Sequence, residues 1–355
     1  MPIDSQFQFN ILEQKPFILA EQDKADLNKI KDEVMDKVTV WDRRMSAKFF
    51  PTYFKGADSW RIKPTESKNR TKQLFNSKSG ETHRGAETLA TLWHRMIFAN
   101  DPPFEAVGQG LDSMGLPVSE EDIYATEGVL LEQQKVAEVK RKFLRTLRSL
   151  ASFGTITVEN PFVSRPYGFG RKNMEFTDWV FRPMTRVGFD TAVYDIRESD
   201  FVFTIDFISK YALRNLASLD TEWWDMEVVE RHIKDFGKSG ISNSSMSGRL
   251  KDSRARAGYY DQDAEVYENI NYHGRLDSDN SVIQNFANYQ GVDPKFVDWS
   301  VGVLDEMEVS KFHMTQYGDW HTRFLNATYK EFEDEPLGYG IAQIGRRLQR
   351  DMDIN

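Results

Sequence analysis

Gly237-Lys238-Ser239 is the most suggestive short motif in the chain, because glycine, lysine and a hydroxyl in that order close a phosphate-binding loop. The loop needs a second glycine five residues earlier, and His232 stands there. A helical pattern precedes it, where a buried strand is needed to aim backbone amides at a phosphate, so the motif reads as a helix C-cap. Gly168-Phe169-Gly170 lacks the third glycine of a dinucleotide fingerprint and reads as a turn. Asp277 and Asp279 have the spacing that opens a calcium loop, but Val282 replaces its obligatory glycine and Asn288 its bidentate glutamate.

The remaining candidates are no stronger. The six histidines, His83, His94, His232, His273, His313 and His321, show no HExxH or other close ligand spacing. His94, beside Trp93 on a helix, reads as a packed or surface imidazole. No serine occupies a Gly-x-Ser-x-Gly elbow. Glu331, Glu333, Asp334 and Glu335 could pair carboxylates, yet clustered acids usually form a solvated face or charge the start of a helix. The expectation is no catalytic residue, no cofactor and no metal site. One basic stretch stands apart: Lys238, Arg249, Lys251, Arg254 and Arg256 against the single acid Asp252, among Gly, Ser and Asn. It reads as an exposed, mobile loop, and a loop facing a DNA passage would look the same, with Tyr259 and Tyr260 at its edge as stacking residues.

Composition bounds what such residues can serve. A chain of 355 residues, 40% hydrophobic, can build one large domain or two ordinary ones. The absence of cysteine removes disulfides, thiolate zinc and thiol nucleophiles, and fits a reducing cytoplasm. Met1 to Phe17 carries neither a basic nor an apolar signal region, and no apolar run is long enough for a membrane span. A net charge of -9 argues against a surface that grips nucleic acid everywhere. Eight tryptophans and 25 phenylalanines suit a Phe-rich core or a subunit interface.

The elements that must position these residues follow from periodicity. Leu27, Ile30, Val34, Val38, Trp41, Met45 and Phe49 predict a helix over 25–50, closed by Pro51. A polar, basic connection over 63–83 leads to a second helix marked by Ala86, Leu89, Ala90, Trp93 and Ile97, which runs out at Asn100. After a loop over 108–117, one long amphipathic helix is expected, capped by Ser119 with Asp122 and stopped by Gly154. Its buried rows are Leu130, Ala137, Leu144 and Ala151, and Val136, Phe143 and Leu150. Ile156 and Val158 then alternate with Thr155, Thr157 and Glu159 as in a half-buried strand. Strands are predicted over 176–181, 189–196 and 201–207, helices over 210–219 (capped by Ser209) and 222–236, and a loop over 237–258. Strands near 265–272 and 311–329 flank a helical piece beginning at Asp293-Pro294, and 341–355 has helical composition.

The order of these segments resembles the portal proteins, the head-to-tail connectors, of short-tailed double-stranded DNA bacteriophages. The resemblance rests on Ala86 to Phe104 (AETLATLWHRMIFANDPPF), Phe143 to Phe162 (FLRTLRSLASFGTITVENPF), Thr191 to Leu216, Glu265 to Tyr272 (EVYENINY) and Glu335 to Asn355 (EPLGYGIAQIGRRLQRDMDIN). The last is the most specific, a Pro-x-Gly-x-Gly-Ile turn followed by a helix.

The resemblance implies an α+β portal-protein fold, with long amphipathic helices packed on a mainly antiparallel β region of the wing and the chain ending at the start of a further helix. It divides as 1–118, an N-terminal helical region; 119–236, the central helix and β region; 237–262, the basic loop; and 263–355, a β/helical region. The implied function is a non-enzymatic ring, usually twelve copies, forming the DNA channel at one capsid vertex in packaging, tail attachment and ejection. Its implied partners are further copies of itself, the major capsid protein, the terminase motor, tail adaptors and the passing DNA. Its location is the virion, after assembly in the host bacterial cytoplasm. Family members continue past the position of Asn355, so further chain is expected there. The alternatives are another virion structural protein, such as a tail adaptor or scaffold, and an enzyme acting on nucleic acid or a nucleotide, for which a polar pocket around His232, Lys238 or the 331–335 acids is required.

Overall fold

Long amphipathic helices and antiparallel sheets make up a computed structural model that describes residues 24–49, 81–100, 103–105, 119–166, 173–190, 192–193, 196–219, 224–236, 266–315, 320, 323–330 and 337–344. The chain forms two compact units, each gathered from separated segments: Met1–Phe49 with Met184–Arg323, and Phe50–Pro183 with Phe324–Asn355. The fold is mixed α+β with antiparallel sheets. Among the described residues no helix is long and apolar enough to cross a membrane.

The expected first helix is α1 (Lys24–Arg44), which widens into a π-helical turn, Met45–Phe49. The predicted apolar row is buried at Ile30, Val34, Val38, Trp41 and Met45. The second helix, α2 (Glu81–Ile97), buries Ala86 and Ala90 and half-buries Leu89 and Trp93.

The single long helix expected next is two. α3 (Glu120–Val136) is capped as predicted, Ser119 Oγ accepting the Asp122 amide at 3.2 Å, and ends at Ala137; α4 (Val139–Phe153) follows. Between them Glu138 adopts a left-handed φ of 52°. No glycine or proline marks the break, so the sequence carries no signal for it, although Ala137 is buried as the apolar row predicts. Leu130, expected in a buried row, is 40% exposed, and α3 buries no residue. Gly154, at φ 84°, stops α4 as expected.

β1 (Thr155–Glu159) departs from the expected alternation, since all five residues are buried. It is a central strand, antiparallel to neighbours on both edges, and its polar side chains find partners: Thr157 Oγ1 donates to Asn326 Oδ1 at 2.7 Å and Arg182 Nε to Glu159 at 2.7 Å. β2 (Phe162–Pro166) and β3 (Asn173–Thr177) form a hairpin. The strand expected over 176–181 divides into β3 and β4 (Val180–Arg182), because buried Asp178 turns the chain, its carboxylate accepting from Lys142 and from the Trp179 amide.

β5 (Val187–Phe189) shares only Phe189 with the strand predicted over 189–196, and Ile196–Glu198 is a 3-10 turn. Asp190 causes the difference: its carboxylate accepts the Ala192 amide, an Asx turn that competes with extended backbone. β6 (Phe201–Ser209) runs into α5 (Lys210–Leu219), with Ser209 Oγ accepting from the Ala212 amide, and α6 (Met226–Phe236) starts at the Asp225 cap. β7 (Val266–Gly274) falls where predicted.

The segment after β7 corrects the reading most. α7 (Ser281–Gln290), capped by Asn280 and Gly291, was not expected; Asp293-Pro294 opens only a 3-10 turn, Pro294–Phe296, and the expected helical piece gives way to strand β8 (Trp299–Leu304). The strand expected over 311–329 is β9 (Glu308–Met314) and β10 (Phe324–Thr328), which lie in different sheets. The β8–β9 turn hid its signal, since its positive-φ positions are Asp305 and Glu306 rather than asparagine and glycine. α8 (Ile341–Ile344) opens the expected last helix, whose remainder lies outside the described residues. The loop over 108–117 and the connection over 63–80 lie outside them as well.

In the first unit β5-β6-β7-β8-β9 form one antiparallel meander. Its aromatic face packs under α1 and α7: Trp41 meets Phe203 edge-on at 5.2 Å, and Trp299 stacks on Phe312 at 5.2 Å with Phe286 edge-on to both. Leu213, Ala217, Val229, Ile233, Tyr267 and Leu304 cluster where α5 and α6 cover the other face. The second unit holds a three-stranded sheet, β10-β1-β4, as well as the β2–β3 pair, and α2 packs on α4 through Ala86, Ala90, Leu147 and Ala151.

Candidate functional site

Four arrangements bring together residues that the sequence keeps apart. In the first unit His232 on α6 lies against the β8–β9 turn, with Nε2 3.1 Å from Asp305 Oδ2 and Nδ1 3.6 Å from Glu308 Oε2. Asp305 also accepts the Glu268 amide at 2.8 Å, and Arg231 reaches Glu308 at 3.3 Å. Burial disfavours the imidazolium, but the hydrogen bond to Asp305 and the Glu308 carboxylate close by outweigh it and raise the His232 pKa above its ordinary value. The nearby imidazole of His232, with Arg231, holds the Glu308 carboxyl below its ordinary value. The cluster is a charged clamp on a strained turn, and His232 is fully buried.

Next to it, α5 and α6 line an open cleft with Lys210, Arg214, Glu227, Glu230, Arg231 and Lys234. Arg214 makes a bidentate pair with Glu230, both bonds 2.6 Å, and this pairing raises the guanidinium and lowers the carboxyl. With both charge signs interleaved, the cleft holds no field for an anion.

Across the meander, His273, Ser300 and His313 are direct register partners on β7, β8 and β9, so their side chains stand in one row. All three are 2% exposed. Burial, with Lys311 adding to it, pushes the His313 pKa well below its ordinary value, so that imidazole is neutral. A hydroxyl between two imidazoles is nucleophile chemistry in outline, but a row this buried offers no approach to a substrate. Sequence spacing missed it because the three residues meet only through strand register.

The other expected features resolve individually. Asp277 accepts the Asp279 amide and Asn280 caps α7, so these acids start a helix rather than an ion loop. Among the described residues no group of three or more potential ligands could hold a metal. His94 Nε2 is 2.9 Å from the Lys140 carbonyl oxygen, a packed imidazole as expected. Lys238, Arg249, Lys251, Arg254 and Arg256, with Gly168 to Gly170, Gly237 to Ser239, Tyr259, Tyr260, His321 and the acids Glu331, Glu333, Asp334 and Glu335, lie outside the described residues, as does the His83 side chain.

In the second unit the helix-Gly-Thr-strand junction and the Pro-x-Gly-x-Gly turn meet each other. The Gly338 amide donates to Thr155 Oγ1 at 2.6 Å across 183 residues of sequence, and Tyr329 donates to the Gly154 carbonyl at 2.8 Å. A methyl group on Gly154 would overlap the Tyr339 carbonyl carbon and the Gly340 nitrogen, one on Gly338 would lie 2.7 Å from the Gly154 oxygen, and one on Gly340 would lie 2.5 Å from the Phe153 nitrogen. Backbone therefore lies on backbone, at a closeness only glycine permits. Compared with known proteins, the chain matches no protein-family model and no curated protein sequence.

Proposed function

We propose that this chain is a structural subunit of a portal ring, the connector through which DNA enters and leaves a phage capsid at one vertex. The observation that carries the reading is the glycine junction. The two most distinctive stretches of the resemblance, FGTITVENPF and EPLGYGIAQI, pack against each other through Gly154, Gly338 and Gly340. That contact gives the glycines of both stretches one shared structural reason.

Surface composition supports an assembly. Phe296, Tyr211, Tyr124 and Met96 are each at least two-thirds exposed, and large apolar side chains left in water are what subunit interfaces cover. The acidic balance suits a conduit, since walls that bound phosphate tightly would stall DNA. In this role the chain works in the virion with other copies of itself, the major capsid protein, the terminase motor and tail adaptors, and it is not an enzyme. The test is native mass spectrometry of the chain together with averaged electron images. A closed ring of about a dozen copies around an axial channel is expected. A monomer or dimer under every condition refutes the portal reading and favours an adaptor; hydrolysis of ATP or DNA that Lys238→Ala abolishes favours an enzyme.

A further inference from the structure

Two apolar rows run through α3 and α4 at seven-residue spacing: Val129, Val136, Phe143 and Leu150, and beside them Leu130, Ala137, Leu144 and Ala151. In one straight helix such a repeat stays on a single face, drifting only about 20° per repeat. The corner at Glu138 parts the rows. Ala137 and Ala151 are buried, whereas Val129 is 57% and Leu130 40% exposed, and none of the 17 residues of α3 reaches burial.

The corner itself is unfavourable. Glu138 holds a left-handed φ of 52°, which disfavours any residue with a Cβ. It stands at the N-cap of α4, yet its side chain makes no capping bond and pairs with Arg141 instead. Its carbonyl accepts the Arg141 and Lys142 amides at 3.1 and 3.0 Å, while the Val139 and Lys140 amides open a helix without a side-chain cap. A straight helix gives those two amides acceptors four residues back, the carbonyls of Lys135 and Val136. Neither glycine nor proline occurs from 129 to 153, so nothing local forbids that path. Against it stand the half-buried side chains of Ile123, Leu131 and Val136, whose packing the bent form keeps.

We infer that Glu138 is a hinge, about which α3 and α4 interconvert between this corner and one continuous helix over 120–153. The straight form releases the left-handed residue, completes the hydrogen-bond ladder and brings Val129 and Leu130 into line with Phe143 and Leu144. α3 is thus an arm that swings as one piece, while α4 stays packed on α2 through Leu147 and Ala151. The hinge lies within one copy of the chain, so it holds whether or not copies form a ring.

The chain has no cysteine, so Ala125→Cys with Ser149→Cys places two spin labels at known positions in the full chain. Pulsed electron paramagnetic resonance reads their separation, with labelled chain diluted in unlabelled chain so that only distances within one copy count. As straight helix the segment 125–149 spans about 36 Å, and around the corner less. Glu138→Ala keeps the penalty on the left-handed state and Glu138→Gly removes it, so the ratio of long to short distances should be about 5- to 30-fold higher in the alanine variant. Hydrogen exchange at the Val139 and Lys140 amides should be slower in that variant for the same reason. Circular dichroism confirms that both fold. Both distances in Glu138→Ala, with the long one weakened or lost in Glu138→Gly, support the hinge. A single distance common to the wild type and both variants, short or long, overturns it, as does a ratio that is the same in the two variants.

Discussion

Replacing Gly154 by alanine tests the glycine junction directly. The residue sits at φ 84°, where a side chain costs about 1–2 kcal/mol. Its new methyl would also run into the backbone of Tyr339 and Gly340, atoms with no rotamer by which to move aside. Overpacking of that kind costs about 1–3 kcal/mol, so the total is about 2–5 kcal/mol. Gly291→Ala supplies the comparison: its φ is 75° and nothing lies within 4 Å of the added methyl, so it carries only the backbone cost. Hydrogen exchange at the Tyr329 and Gly338 amides, which donate to Gly154 O and Thr155 Oγ1, reads the local opening. Those amides should exchange about thirtyfold to a few thousandfold faster in Gly154→Ala, at about 1.4 kcal/mol per tenfold. Amides of α7 and the turn after it should show the smaller backbone cost in Gly291→Ala. Equal costs at the two glycines would refute the argument that backbone contact, and not dihedral angle alone, reserves position 154 for glycine.

Three further outcomes follow from the same contacts. Thr155→Val keeps the side-chain shape but removes the acceptor of the Gly338 amide, leaving a buried donor; a loss of about 1–3 kcal/mol is expected in urea titrations. His232→Phe strips the buried Asp305 carboxylate of its imidazole partner and should destabilise the first unit by about 3–5 kcal/mol, while the wild type loses that contribution with pH in a defined sense. The folded chain binds the His232 proton more tightly than the unfolded one, so the contribution is full below the ordinary histidine value of 6.5 and fades as pH rises through the raised folded value. Thermal unfolding against pH should show this decline in the wild type and not in His232→Phe. His313 acts on the acid side: its folded pKa is depressed by burial, so stability falls as pH drops below 6.5, and His313→Leu should flatten that limb.

Local chemistry was sufficient for several features. The apolar row of α1, the Ser119 and Ser209 caps, the Gly154 stop and the β7 strand follow from side-chain spacing and from hydrogen bonds between residues a few positions apart, and the structure has them where the sequence placed them. What only tertiary structure decided involves partners distant in the chain. Ala137 and Glu138 break a helix whose apolar pattern runs through unbroken. Thr157 and Glu159 are buried because β10 and β4 flank β1 with Asn326 and Arg182. Asp305 and Glu306 hold a left-handed turn where His232 and the Glu268 amide meet the Asp305 carboxylate. His273, Ser300 and His313 form a row through strand register alone. In the second and third, a local preference is overridden by a contact whose energy exists only once the strands and helices have come together; the fourth is a neighbourhood no local preference encodes. The glycines of the second unit belong to both accounts. The sequence announces the turn at Gly338 and Gly340 and the helix end at Gly154, and only the fold shows that each must lack a side chain because the other is there.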